Sequence, residues 1–351
     1  MTAQTASPAP PTAPQTTASG RLDDASGPAD AASAAGPADR PTGPSLSPSR
    51  AADFKTCPLL FRFRTIDRLP EQPSADQVRG TLVHAVLERL FDLPAAQRTP
   101  AAAAALVSPE WQRLVAQEPV LADLFTPTGS PLPEADLLAD FLAGAGALLD
   151  GYFAVEDPQR LEPAERESLI STLVDDELLI RGYIDRLDVS PAGDLRVVDY
   201  KTGGAPREAF EGRALFQLKF YALVLWRTRG LVPKVLRLLY LKDAEVCDYR
   251  PDAEELERFE RTLVALSQAI ERAKRDRDFR PKPSKLCGWC RHQQLCPEFG
   301  GTPPPYPEPD ATETASPADA ANPTDAASPA DAARAAAGSG AGVATGTGSR
   351  G

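Results

Sequence analysis

Histidine and methionine are nearly missing from this 351-residue chain, which has two His and one Met, and cysteine is sparse at five. So few thiols in so long a chain exclude a disulfide-stapled scaffold and make a reducing compartment, the cytoplasm, the expectation. No run of about 18 apolar residues occurs, so no membrane-spanning helix is expected. The first residues lack the basic, apolar and small-residue order of a signal peptide. A Gly-x-x-x-x-Gly-Lys-Ser/Thr loop is also missing, which excludes a nucleotide-driven motor within this sequence.

Bulky apolar residues are missing from both ends. Residues 1–48 and 301–351 are almost entirely Ala, Pro, Ser, Thr, Gly and Asp. Such segments cannot bury enough surface to offset a backbone ordering cost of about 1–2 kcal/mol per residue, so disordered tails are expected at 1–46 and 301–351. The second tail carries an imperfect six-residue repeat, from Ala318, Thr324 and Ala330, too poor in apolar residues for a solenoid. The formal charge of −11 divides unevenly, because the two ends hold ten acidic and four basic residues and so account for six of those charges. The remainder excludes a uniformly basic nucleic-acid coat but leaves room for a local basic groove. Residues 47–300 are enough for one α/β domain with a real core.

Within that domain, Ser47-Pro48 can cap and start a short helix running toward Cys57-Pro58. A second helix is expected over 77–91, with Val83, Val86, Leu87 and Leu90 on one face. Residues 101–157 read as helical, broken at Pro127–Pro133, and form an insertion over about 93–160. From Glu165 the apolar period becomes two. Strands are expected over 165–174 and 177–189, joined at Asp175-Asp176, and then over 195–201. A helix over 209–228, strands over 234–241 and 245–250, and a charged helix over 252–276 follow. A Pro, Cys and Trp loop over 281–298 ends the domain. The core order is helix, three-strand meander, helix, strand.

The meander carries the strongest chemical signal. Gly182-Tyr-Ile-Asp185-Arg-Leu-Asp188 ends one strand and Val197-Val-Asp199-Tyr-Lys201 forms the next. Side chains two apart on a strand share a face, so Asp199 and Lys201 project together, and the hairpin can bring Asp185 across from them. Two carboxylates and an ammonium on one face suit a Mg²⁺-type cation, which takes oxygen ligands. An isolated Asp-x-Lys is more often a solvated ion pair worth less than about 1 kcal/mol. Here three further pieces accompany it: Thr202-Gly203 after the lysine, Gln217-Leu-Lys-Phe-Tyr221 on the next helix, and Gly80-Thr-Leu-Val-His84 upstream.

Together these residues resemble the PD-(D/E)xK nuclease superfamily, and within it the RecB-type exonuclease branch. The resemblance covers about residues 47–298 and implies a restriction-endonuclease-like α/β core. It implies that His84, Asp185 and Asp199 hold Mg²⁺ or Mn²⁺, assisted by a backbone carbonyl beside Asp199. Asp185, Asp199 and Lys201 would be catalytic, with Lys201 activating water, and Gln217 and Tyr221 would position DNA. Without the resemblance, His84 reads as a packed histidine on an apolar helix face, and Gln217 and Tyr221 as a polar rim of helix packing.

Cys287-Gly-Trp-Cys290 and Cys296-Pro297 place three thiols in one loop, and Cys57 offers a fourth in a similar Cys-Pro setting. Thiolates suit zinc or iron–sulfur alike. A ribbon-type zinc site normally has two Cys-x-x-Cys knuckles, and this sequence has one. The distant cysteine plus a C-terminal triplet resembles the 4Fe-4S staple of AddB-type nucleases, which implies a cluster on Cys57, Cys287, Cys290 and Cys296, with zinc as the lesser expectation. Cys247 reads as a half-buried thiol and His292 as a solvated residue, with a zinc-ligand role as its alternative.

Basic residues Arg62, Arg64 and Arg68, and the run from Arg272 to Lys285, could bind phosphates, although interleaved acids make about half of them an ordinary solvated face. Phe61, Phe63 and Trp289 could stack on bases, but packing is the plainer use. The expected function is a metal-dependent DNA exonuclease acting on single-stranded ends in repair or recombination, with any helicase a separate protein. The alternatives are a CRISPR-associated adaptation nuclease of the same superfamily and a non-catalytic iron–sulfur DNA-binding module.

Overall fold

A computed structural model describes residues 43–125, 133–205 and 211–308. Its first element is a two-residue strand, β1 (Ser45–Leu46), which pairs in parallel with the later strand Leu178–Val189. Ser47 then caps helix α1 (Pro48–Thr56) by accepting from Arg50 N, with Pro48 in the first turn, where its missing N–H costs nothing. Helix α2 (Pro58–Phe61) follows and runs into a single π-helical turn over Arg62–Ile66. Helix α3 (Ala75–Leu90) starts at a capping box in which Ser74 and Gln77 satisfy each other's backbone N–H, two residues earlier than the apolar period indicates. The insertion forms α4 (Pro100–Gln117) and α5 (Glu134–Val155), and most of the expected break at Pro127–Pro133 lies outside the described residues.

The sheet is built from β2 (Glu165–Val174), β3 (Leu178–Val189), β4 (Leu195–Lys201), β5 (Val235–Tyr240) and β6 (Glu245–Tyr249). Helix α6 (Glu211–Arg229) lies between β4 and β5, and α7 (Ala253–Asp276) follows β6. The expected start of α6 near Ala209 lies outside the described residues. Strands β2, β3 and β4 form the expected antiparallel meander, β5 joins β4 in parallel, and β6 returns antiparallel. The β2–β3 turn places Asp175 and Asp176 in left-handed backbone at φ 51° and 54°, a conformation that Asp tolerates better than most side chains.

Two apolar layers cover the sheet. Helices α1, α6 and α7 share one core, with Ile180, Ile184, Val197, Leu218, Leu236 and Leu238 buried in it. Helices α3, α4 and α5 share the other, against Val198, Tyr200, Leu239 and Leu241. Helix α5 is long and apolar enough to cross a membrane by length and composition, which the sequence reading did not anticipate. Its Phe141, Ala145, Leu148, Leu149 and Tyr152 are buried in the second core.

Two boundaries differ from the sequence expectation. Residues 43–46 belong to the fold, since Pro44 O accepts from Leu179 N and β1 adds to the sheet. Residues 301–308 read as tail by composition, yet Tyr306 stacks on Phe279 at 6.1 Å and Arg62 donates to Pro304 O. One aromatic ring and a buried guanidinium anchor a stretch whose composition reads as tail.

Candidate metal and catalytic site

The site lies where β3 and β4 separate. Their ladder runs from Val189↔Leu195 to Arg186↔Val198. Carried one step further, the same register sets Asp185 opposite Asp199. Backbone pairing stops there, and Tyr200 N donates instead to Asp185 Oδ2 at 2.8 Å. The side chain replaces a ladder carbonyl, which fixes the carboxylate and satisfies a buried N–H.

Asp185, Asp199 and Lys201 are all buried, and Lys201 Nζ lies 2.8 Å from Asp199 Oδ2 and 2.9 Å from Gln217 Oε1. Gln217 Nε2 in turn donates to Tyr221 Oη at 2.9 Å. Gln217 and Tyr221, one turn apart on α6, therefore form a hydrogen-bonded rail ending on the lysine. Gly182 makes room for that rail, because a Cβ there would meet Tyr221 Cε1 at 2.7 Å. Gly80 likewise lets α3 approach the end of β4, where its Cβ would lie 3.2 Å from Thr202 Oγ1.

Helix α3 brings His84 in from the other layer. Its Nε2 is 3.0 Å from Tyr200 O. Its Nδ1 faces Asp185 Oδ2 at 3.6 Å and Glu167 Oε1 at 3.7 Å. Burial alone would lower the His84 pKa, but the Asp185 and Glu167 carboxylates outweigh it and push it up to about 9. Burial pushes Asp199 up to about 6, against the attraction of Lys201, and raises Asp185 as well. A group of carboxylates and an imidazole that prefers to hold protons is also one that a cation can stabilise.

The donor set fits a divalent metal. Among the described residues, His84, Glu167 and Asp185 form the one group of three or more His, Cys, Asp or Glu whose ligand atoms lie within 4.8 Å of one another. His84 Nδ1 is buried without a hydrogen-bond partner. Glu167 was not anticipated. Its signal was present, since a hairpin closed at Asp175-Asp176 pairs Arg166 with Arg186 and Ser168 with Ile184, leaving Glu167 opposite Asp185.

The family model of the PD-(D/E)XK nuclease superfamily matches residues 45–297. The chain belongs to this superfamily. Nucleases of the PD-(D/E)XK superfamily use divalent metals, in keeping with the His/Glu/Asp group. Solved structures that the chain resembles include a "putative exonuclease" from Eubacterium rectale, at 12% identity over 71% of this chain and 87% of that one, with a TM-score of 0.44. Another is the protein SSO0001, at 16% identity over 73% and 86% of the two chains, with a TM-score of 0.34. No curated protein matches the chain.

Arg186, between Asp185 and Asp188 of its motif, is fully buried. It bonds Glu156 at the end of α5, Asp188 at 3.0 Å and Tyr200 Oη at 2.9 Å. It therefore ties the helical insertion to the residue whose backbone borders the site.

The cysteines lie apart from this centre, and all five are free thiols of intermediate burial. Lys282 N donates to Cys57 Sγ at 3.4 Å, which brings Cys57 against the segment leading to Cys287. Burial raises the Cys290 thiol pKa, with Cys57 and Cys287 near enough to add to it. Cys247 packs against the first core. His292 is not solvated as expected: it is buried, 2.6 Å from Glu71 Oε1, and in ring contact with Phe63.

The expected phosphate-binding cluster is largely spent on the protein itself. Arg62 pairs with Asp67, Arg64 with Asp53 and Glu71, Lys274 with Glu271, Arg277 with Glu308 and Arg280 with Asp278. Phe61 and Phe63 are buried, whereas Trp289 is half exposed.

Proposed function

We propose that the chain is a Mg²⁺- or Mn²⁺-dependent deoxyribonuclease of the RecB type, an exonuclease that degrades DNA from single-stranded ends in repair or recombination. The observation that carries this reading is the convergence of His84, Asp185, Asp199 and Lys201, from one helix and two strands, on a single buried point. A divalent cation, when bound, supplies Lewis-acid polarisation of the scissile phosphate. His84, Asp185 and Asp199 hold it, together with Tyr200 O. Lys201, fixed between Asp199 and Gln217, presents an ammonium that orients the attacking water and offsets charge developing on the phosphoryl oxygens. Hydrolysis breaks the bond from phosphorus to the 3′ oxygen, leaving a 5′-phosphate and a 3′-hydroxyl.

Cys57, Cys287, Cys290 and Cys296 hold a 4Fe-4S cluster in this reading. The approach of Cys57 to Lys282 supports a shared site. Exposed Trp289 beside Cys290 offers a stacking surface for an unpaired base. Strand separation falls to a separate helicase.

The test uses protein purified without oxygen, with visible absorption recorded for the cluster, and end-labelled single-stranded and duplex DNA digested with Mg²⁺ or Mn²⁺. Cleavage lost in Asp199→Ala and Lys201→Ala is the expected result. Wild type that cuts no better than these variants overturns the nuclease reading, and a colourless protein with stoichiometric zinc overturns the cluster.

A further inference from the structure

Phe61, Phe279 and Tyr306 stand in one row, each ring 16° from parallel to the next, with centroids 6.3 and 6.1 Å apart. The first two rings are buried in the core shared by α1, α6 and α7. The third comes from residues 301–308, whose composition reads as tail. Two guanidiniums lie over the Tyr306 ring, Arg62 at 5.3 Å from its centroid and Arg277 at 5.4 Å. Asp67 takes the Nε edge of Arg62, which leaves Nη2 to donate to Pro304 O. Arg277 donates to both carboxylate oxygens of Glu308, at 3.2 and 3.3 Å. An aromatic ring stacked on a phenylalanine, beside oxygens that accept from two arginines, has the chemistry of a nucleotide, a base with its phosphate.

The segment that supplies these groups is lightly held. Four of its eight residues are proline, which has no N–H to give. Among the described residues, no backbone-to-backbone hydrogen bond ties residues 302–308 to the fold, and the Glu308 side chain is 78% exposed. Arg277 ends α7 in left-handed backbone at φ 51°, where glycine is the common residue. A glycine there would relieve the backbone and lose the guanidinium.

We propose that Phe279, Arg62 and Arg277 form a cradle for one unpaired nucleotide of single-stranded DNA, and that residues 301–308 occupy it in the free protein. Tyr306 takes the place of the base, and Pro304 O and Glu308 take the place of phosphate oxygens. DNA and the segment then compete for the cradle. This rests on the deoxyribonuclease reading above and adds to it a point, apart from the metal site, at which substrate is held and its access governed.

The experiment measures binding of a short fluorescein-labelled oligothymidylate to the full chain by anisotropy, with EDTA present so that nothing is cut. Tyr306→Ala, which empties the base position, should bind about tenfold tighter than wild type, and Glu308→Gln, which frees Arg277 from an exposed position, about threefold tighter. The salt dependence of Tyr306→Ala should steepen by roughly 0.7 for each phosphate gained. Adding Arg277→Gly to Tyr306→Ala should return the affinity to the wild-type level without lowering the melting temperature, since glycine suits the left-handed position. A blunt duplex, whose bases are paired, should gain less than about twofold.

Unchanged or weaker binding by a folded Tyr306→Ala overturns the inference, and Glu308→Gln decides it in the same way if Tyr306→Ala melts early. An equal gain for duplex reduces the effect to charge and also overturns the cradle, as does a loss of stability in Arg277→Gly, which assigns Arg277 to the fold. Digestion of end-labelled DNA with Mn²⁺ is scored separately. If the variants bind no tighter while wild type still cuts, the cradle alone fails. If they bind tighter while nothing cuts, the nuclease reading fails and the cradle remains.

Discussion

Gly182 and Tyr221 share one space: a Cβ on the glycine of β3 would lie 2.7 Å from Cε1 of the tyrosine on α6. Tyr221 holds Gln217, and Gln217 holds Lys201. Gly182→Ala therefore moves the lysine from two residues away. Overpacking of this kind costs about 1–3 kcal/mol, and the displaced ammonium should lower kcat roughly tenfold to a hundredfold. Steady-state cleavage of a linear substrate with a parallel melt checks both. Full activity in Gly182→Ala would show that the rail does not govern Lys201.

Gln217→Ala tests the rail from its middle. It removes the amide oxygen that accepts from the ammonium and leaves the ion pair with Asp199 in place. The expected outcome is a roughly tenfold loss in kcat, against a hundredfold to thousandfold loss in Lys201→Ala, where the charge itself is gone. Equal losses in the two variants would mean that Gln217 does more than position the lysine.

Arg186→Lys keeps the charge but loses the planar fork that bonds Glu156, Asp188 and Tyr200 at once. With the guanidinium fully buried, the carboxylates it leaves behind should cost about 3–5 kcal/mol. Urea denaturation measures this, and a change below about 1 kcal/mol would contradict the network.

The cysteine loop carries a latch of its own. Glu71 accepts from His292 at 2.6 Å and from Arg64 at 2.8 Å. Burial would raise its pKa, but these two partners lower it to about 2. A depressed carboxyl pKa contributes stability above its unfolded value, near 4.5, and loses it as pH falls toward 2. Because the carboxylate is partly exposed and solvent screens its partners, the contribution at neutral pH is reduced to about 2 kcal/mol. In Glu71→Gln the acid limb of the stability profile between about pH 4.5 and 2 should flatten, and the thiols of Cys287 and Cys290 should react faster with a thiol reagent. An acid limb identical to wild type would remove Glu71 from the latch.

Much of the strand pattern was legible because a period of two, bounded by turn residues, leaves little choice of register. Once Asp175-Asp176 closes a hairpin and residues 191–194 close the next, Asp185 and Asp199 must come side by side. His84 was legible as a member of the Gly80-to-His84 pattern, but its burial next to Tyr200 was not. Glu167 was hidden because a lone glutamate in an alternating strand reads as a solvent-facing residue until the neighbouring strand is placed against it. His292 and residues 301–308 were misread for a related reason, since a polar side chain or a proline-rich stretch becomes ordered only through partners such as Glu71, Phe279 and Arg62.

The sequence by itself determined the kinds of group available for chemistry and the order of elements that carry them, because periodicity, caps and motif spacing are local properties of the chain. Tertiary structure decided which of those groups meet. The separation of β3 from β4, the arrival of α3 over Tyr200 and the alignment of Glu167 with Asp185 join residues more than a hundred positions apart in the case of His84 and Tyr200. Such contacts form only when two apolar layers close on one sheet: burial then raises the proton affinity of the aspartates, and the carboxylates brought beside His84 raise that of its imidazole.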